Sequence, residues 1–333
     1  MTPAPEASLA PGVREVIAGA EGSDPGELEL SAIPGGASRE TLLARAGDRR
    51  WVVRRDPPGA EESFAPLEVE FRVLAAAAAA GVPVPRAIAF EPAGGRLDTA
   101  GFVMNHVEGV SVAPRVLRRD ELAGARAALP AQLGTAMARI HSIGAGEIDG
   151  LSPVTPDPAL AACELWESTL NEVGEPLPAV EAGLRWLRLN PPPPPARQSL
   201  VHGDFRLGNL IVDESGLAAA IDWELCHWGD PAEDIGWLCV RSWRFGNDGL
   251  PVAGLGSLDE LLDAYEEAGG ERPGRERIRW WEAMGNAKWA AICARQAHDH
   301  LTGDRPSAEL ASLGRRICEP EWDLLELVPF AEA

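Results

Sequence analysis

Three side chains between Leu200 and Trp237 have the types and spacing for chemistry on a phosphate. Asp204 stands in His202-Gly203-Asp204, Asn209 follows five residues later, and Asp222 comes behind three small residues and an isoleucine. Phosphoryl transfer asks little covalent chemistry of a protein. It needs a carboxylate near the nucleophilic hydroxyl, oxygen ligands for Mg²⁺, and cations on the phosphates. Asp204 follows the apolar Ser199-Leu200-Val201, so it sits on a loop at a strand end. Asn209 is far enough on for that loop to turn back toward the same place. "NLIV" and "AAAID" flank a DESG turn, so a hairpin returns Asp222 to the vicinity of Asn209. A carboxylate and a carboxamide side by side make a hard, oxygen-rich site for Mg²⁺.

The elements around this stretch fall into two groups. Residues 28–55 read as strands: "LELSAI" leads to Gly35-Gly36, and "ETLLARA" and "RRWVVRR" flank a turn at Gly47-Asp48. A helix follows, with Pro66 at its first turn, Leu67, Phe71 and Leu74 on one face, and Gly81 as its stop. "VPRAIAFEP" and "GFVMNHVEG" read as two further strands. From about residue 118 the pattern turns helical: Leu133, Met137 and Ile140 recur at helical spacing, as do Ile278, Trp281, Gly285, Trp289 and Ile292. Ser257 to Glu260 is a capping box, opening a helix that closes at Gly269-Gly270. Pro191 to Pro195 is a stiff spacer just before the motif. The expected class is α+β and bilobal, with a small antiparallel-sheet N-lobe over residues 1–107 and a larger, mainly helical C-lobe over 108–333.

Composition narrows the partners. A net charge of −21 argues against nucleic acid, whose phosphates need a basic footprint. It does not by itself specify a cationic substrate, because acidity also keeps proteins soluble. Five cysteines without a C-x-x-C pair imply reduced, mostly buried thiols in a cytoplasmic protein. The N-terminus lacks the basic start and apolar core of a signal peptide. The longest apolar run, Val73 to Val84, is broken by Gly81 and Pro83 and is too short to cross a membrane.

H-G-D-x-x-x-x-N, then a short hairpin and I-D, resembles the aminoglycoside phosphotransferase-like family, relatives of protein kinases that share their two-lobed fold. The resemblance covers residues 28–300. It implies an ATP- and Mg²⁺-dependent enzyme with Asp204 as the catalytic aspartate and Asn209 and Asp222 as magnesium ligands. Gly35, Gly36 and Ser38 align with the turn that covers the phosphates. Arg54, in "WVVRR", takes the place of the phosphate-contacting cation, and Glu70, in "VEFRVL", the helix glutamate that pairs with it. "FVMNHVEG" resembles the segment joining the lobes, where Met104, Asn105, His106 and Val107 would meet adenine. Three departures stand out: the cation is Arg54 where many kinases have lysine, the family's usual asparagine after the turn is Arg39 here, and Trp223-Glu224 follow the second aspartate, which leaves open whether Glu224 helps hold the metal.

Other residues have plainer readings beside the sharp ones. His202 holds the loop, and Gly203 permits a backbone angle other residues dislike. Asp234, in "GDPAEDIGW", reads as a buried anchor for the catalytic loop, and Asp230 as a cap before Pro231. Glu70 is otherwise a solvated helix charge. His298 and His300, two apart on a helix, do not share a face and make a poor metal pair. Lys288 either reaches a ligand or snorkels to the surface. Trp223, Trp228, Trp237, Trp243, Trp280, Trp281 and Trp289 are mostly core, with one or two in an acceptor pocket.

Only six residues separate Asp222 from Gly229, too few for a peptide-binding platform, so the acceptor is a small hydroxylated molecule. The segments expected to line its pocket, "GWLCVRSWRFG" and "IRWWEAMGNAKWAAICARQ", offer tryptophan, Arg241, Arg244, Lys288 and Arg295. They favour a partly apolar, anionic hydroxyacyl-type metabolite over a polycationic aminoglycoside, with a choline-like cation next. The rival classes are a catalytically silent nucleotide-binding module and an interaction protein that kept the fold alone. Intact Asp204, Asn209 and Asp222 argue against the first, and ATP binding measured with and without Mg²⁺ separates all three. Neither the acceptor's identity nor an oligomeric state follows from the chain.

Overall fold

The computed structural model describes residues 5–33, 39–57 and 65–329, with side chains from Ser8 onward. Five antiparallel strands form one sheet: β1 (Glu29–Ala32), β2 (Glu40–Ala46), β3 (Arg49–Arg55), β4 (Ala87–Glu91) and β5 (Gly101–Asn105), in the order β1-β2-β3-β5-β4. Two helices belong to it. The first, α1 (Pro5–Glu21), had no counterpart in the sequence reading, because Pro11, Gly12 and Gly19 interrupt its pattern. Its Leu9, Val13, Val16 and Ile17 nevertheless recur at helical spacing and pack on Leu42, Ala44, Trp51 and Val53 of the sheet. The second, α2 (Leu67–Ala79), covers the opposite face with Leu67, Val73, Leu74 and Ala77, and Phe71 lies 5.9 Å from Phe102 of β5. Gly81, at φ +80°, ends it as the sequence expects.

The remainder is mainly helical. Helices α3 (Ala113–Arg118), α4 (Ala123–Ser142), α5 (Pro158–Val173) and α6 (Pro178–Leu189) lead to the motif region. There β6 (Ser199–Val201) pairs with β9 (His227–Gly229), and β7 (Leu210–Asp213) with β8 (Gly216–Ala220), as the two apolar runs around DESG require. After α7 (Ala232–Cys239) come α8 (Leu258–Glu267), α9 (Arg275–Thr302), α10 (Ala308–Leu313) and α11 (Cys318–Leu327). The capping box at Ser257 and Glu260 is present. The 28-residue α9 is the central post, with Ile278, Trp281, Gly285 and Trp289 all buried. It presses closely on α7: a Cβ added to Gly236 would lie 2.6 Å from Trp281. This is the bilobal protein-kinase-like architecture. Among the described residues no helix is long and apolar enough to cross a membrane.

Candidate active site

The loop after β6 is held from below. Asp234, fully buried on α7, accepts hydrogen bonds from the backbone N–H of His202 at 2.9 Å and of Gly203 at 3.0 Å, and pairs with His141 Nε2 at 3.1 Å. Burial alone would raise its carboxyl, but His141 and these donors hold it below the usual carboxylate range. Gly203 takes φ +77°, and a Cβ there would sit 2.3 Å from the Leu225 carbonyl oxygen, so only glycine fits. Burial pushes the His202 imidazole below its ordinary value, against the pull of Asp234. Its neutral ring donates from Nε2 to the Ile221 carbonyl at 3.1 Å and accepts the Asp204 N–H at Nδ1, 3.2 Å away. His202 therefore ties the loop to the strand that delivers Asp222. Asp230 accepts from the Ala232 N–H at 3.0 Å, opening α7, and from Trp281 Nε1 at 2.7 Å on α9.

Asp204 points into the cleft with its carboxylate engaged on three sides. Trp237 Nε1 donates to Oδ1 at 2.8 Å, Asn209 Nδ2 to Oδ2 at 2.6 Å, and Arg206 Nε to Oδ1 at 3.0 Å. The Asn209 amide donates both to the Asp204 carboxylate and to the Asp204 backbone carbonyl, which orients the amide and leaves its oxygen as the atom available to a cation. Ile221 N donates to the Asn209 backbone oxygen at 2.9 Å, which sets Asp222 beside it. Asp222 adopts φ +68°, a left-handed conformation uncommon for a residue with a side chain, though aspartate tolerates it better than most. One of its oxygens meets Arg54 at 2.6 Å. A neutral amide oxygen and a carboxylate oxygen fit Mg²⁺, which takes one or two protein ligands and completes its shell with phosphate and water.

Arg54, on β3, reaches Glu70 at 3.1 Å and Glu224 at 3.3 Å besides Asp222. Burial works against its charge, yet the three carboxylates hold the guanidinium above its ordinary value. Glu70 is not a solvated charge. It is buried on α2 and is also held by Arg39, whose guanidinium donates to the Ala65 carbonyl and lies 3.5 Å from Asp56. Arg39 is thus not an empty substitute for an asparagine but a second cation on the helix glutamate. The partners that reveal this lie far away in the chain, and nothing local signals them.

These groups line one cleft of about 870 Å³. At one end are Val52, Ile211, Ile221 and residues Met104 to Val107. His106 N donates to the Arg50 carbonyl at 3.3 Å, and the Asn105 side chain donates to the His106 carbonyl at 3.0 Å. The Val107 N–H has no protein partner among the described residues. Gly35, Gly36 and Ser38 lie outside the described residues. At the other end, past Asp204 and Trp237, the walls are Trp289 and Ile292 of α9, Leu310 and Leu313 of α10, with Gln296, Arg305 and Ser307.

The basic residues expected there are elsewhere. Arg241 pairs with Asp248 and Asp323, Arg244 with Glu282, and Arg295 with Glu172 and Asp299. Lys288 neither reaches the cleft nor snorkels: it is buried, donating to the Gly203 carbonyl. Besides Arg39 and Arg54, the cleft is lined by Arg206 and Arg305, which are matched by Asp204 and Asp299. Among the tryptophans, Trp223, Trp237 and Trp289 face the cleft.

The model of the Phosphotransferase enzyme family matches residues 29–281. Acyl-CoA dehydrogenase family member 10 of Mus musculus is 28% identical over 320 residues, which are 90% of this chain but 29% of the mouse protein. The chain therefore spans under a third of that relative's length. Among solved structures, a candidate aminoglycoside phosphotransferase from Ralstonia eutropha superposes with a TM-score of 0.73 at 25% identity, covering 95% of this chain and 98% of its own. A macrolide 2'-phosphotransferase from Brachybacterium faecium shares the fold with a TM-score of 0.58 at 23% identity, over 94% and 97% of the two chains.

Proposed function

This chain belongs to the phosphotransferase enzyme family, and on that footing we propose that it moves the γ-phosphate of ATP to a hydroxyl of a small molecule, with Mg²⁺. The observation behind this reading is the convergence of Asp204, Asn209, Asp222 and the Arg54–Glu70 pair on one cleft. Residues 1–107 act as the nucleotide-covering lobe and 108–333 carry the catalytic loop, metal site and acceptor pocket. The Val107 N–H donates to the adenine ring, and Met104, Asn105 and His106 frame it.

Asp204 is the catalytic residue. Trp237 and Asn209 fix its carboxylate, which orients the acceptor hydroxyl and takes its proton as the oxygen attacks the γ-phosphorus and ADP leaves. Asn209 and Asp222 are the residues that would hold Mg²⁺, which would supply charge neutralisation for the transferring phosphate. Arg54, kept in place by Glu70, would supply a guanidinium to the phosphates of a bound nucleotide. We place the reaction in the cytoplasm.

For the acceptor we favour a hydroxyacyl-type metabolite. Support comes from the apolar wall of Trp289, Ile292, Leu310 and Leu313, and from the acyl-CoA chemistry in the mouse relative's name. The anionic half of the expectation now rests on Arg206 and Arg305 alone. A choline-like cation comes second, because those arginines oppose it. An aminoglycoside would want a cluster of carboxylates, where this wall offers Glu309. The test is ADP production over a panel of hydroxy acids, their thioesters, choline and kanamycin-type compounds. Turnover should be greatest with hydroxyacyl compounds, and Asp204→Asn should lower it about 10²–10⁴-fold. Wild-type turnover in Asp204→Asn would remove Asp204 from the mechanism, and efficient turnover of kanamycin would overturn the acceptor class.

A further inference from the structure

Lys288 is a lysine from the middle of an apolar helix stretch, buried and turned inward beneath the catalytic loop. Its ammonium donates to the Gly203 carbonyl, one residue before Asp204, and lies 4.6 Å from the ring centroid of Trp237. Glu233, the nearest carboxylate, is 3.8 Å away and is shared with His227 at 3.1 Å. Trp237 is itself buried, and its indole N–H donates to Asp204 Oδ1 at 2.8 Å. One cation thus touches the backbone before Asp204 and the face of the ring that holds its carboxylate. Asn209 holds the other oxygen.

We infer that Trp237 and Lys288 are positioning residues for phosphoryl transfer, setting the rotation of the Asp204 carboxylate from α7 and α9. With Oδ1 on the indole and Oδ2 on the Asn209 amide, and Arg206 Nε near both, the carboxylate is held in one rotational setting. Lys288 fixes the indole by cation–π attraction and the Gly203 carbonyl by a charge-assisted bond, so ring and loop keep a constant relation. Without the indole donor, Oδ1 keeps only Arg206, a half-exposed and longer partner whose guanidinium stacks 5.0 Å from Trp243. The carboxylate then follows that side chain. The inference rests on the assignment of Asp204 as the catalytic group.

The experiment uses the full chain and ADP release from ATP·Mg²⁺ with water as acceptor. Trp237→Phe keeps the aromatic packing and removes the N–H; Lys288→Met removes the cation; Lys288→Gln restores a donor for the Gly203 carbonyl. Each should lower kcat while KM for ATP stays within about twofold, with Trp237→Phe and Lys288→Met down about 10–100-fold and Lys288→Gln less affected. An independent readout is the Trp237 indole ¹H–¹⁵N resonance, identified by its loss in Trp237→Phe. It should move in both Asp204→Asn and Lys288→Met, whatever the turnover. A merely structural role would lower the melting temperature and leave kcat of the folded fraction alone. Wild-type kcat in Trp237→Phe, or an indole resonance indifferent to Asp204→Asn, would overturn the inference. If Asp204→Asn itself kept wild-type ADP release while the resonance moved, the catalytic assignment would fall instead.

Discussion

Asp234→Asn tests how the catalytic loop is held. The carboxylate takes three hydrogen bonds, from the N–H groups of His202 and Gly203 and from His141, in a site without solvent access. An asparagine oxygen can keep the His202 and His141 side, but its NH₂ then faces the Gly203 N–H, leaving two donors without an acceptor. Each buried unsatisfied donor costs about 1–3 kcal/mol, and the surviving bonds lose their charge assistance, so the expected destabilisation is about 3–5 kcal/mol. The pH dependence adds a second signature. The folded carboxyl lies below the usual range, so its stabilisation is present above the unfolded value and is lost as pH falls through the lower folded one. The variant should lack that acid-side loss. Urea unfolding followed by tryptophan fluorescence at pH 7 and at stepped acid pH, together with kcat, provides the readout. A loss below about 1 kcal/mol with kcat unchanged would refute the anchor.

Asp222→Ala should abolish Mg²⁺-dependent nucleotide binding in a titration with and without the metal, whereas Asn209→Ala should weaken it less, since a carboxamide is the poorer ligand for a hard cation. Equal effects would mean the two roles are misassigned. Burial pushes Glu282 up to about 7 despite Arg244, so the folded protein binds this proton more tightly. Its contribution to stability therefore falls between about pH 4.5 and 7, by up to about 3 kcal/mol, and Glu282→Gln should flatten that slope in urea melts. Gly236→Ala forces a methyl into the backbone of Trp281, and should lower stability by about 1–3 kcal/mol with the lost packing of α7 on α9.

The convergence of Asp204, Asn209 and Asp222 on one cleft was legible because phosphoryl transfer restricts the residue types it can use, and the short hairpin restricts their spacing. Gly203 as a glycine with an unusual backbone angle followed from local logic, whereas Asp234 as an anchor and Glu70 as the partner of Arg54 came with the family resemblance. What the sequence concealed was pairing at long range. Arg295 meets Glu172, 123 residues away, and Arg39 meets Glu70, 31 residues away. An arginine's charge is visible in one dimension, but its neutralising partner is not, so four basic residues were expected in a pocket that contains none of them. Lys288 was misplaced for a related reason: the Gly203 carbonyl that receives it is 85 residues distant. Helix α1 was hidden by its prolines and glycines, although its apolar residues keep the helical period once the sheet they cover is known.

The two guanidiniums on Glu70 bear on how the enzyme meets its nucleotide. An enzyme whose α2 equilibrates between docked and undocked positions binds with an affinity reduced by the docked fraction. Here undocking would carry Glu70 away from both guanidiniums, while Arg54 would keep Asp222 and Glu224 and Arg39 would keep Asp56, so the two ion pairs bias α2 toward its docked position. That bias brings nucleotide affinity closer to the intrinsic affinity of a formed site. An effector acting through α2 would have to prefer one position of the helix by an amount that offsets it.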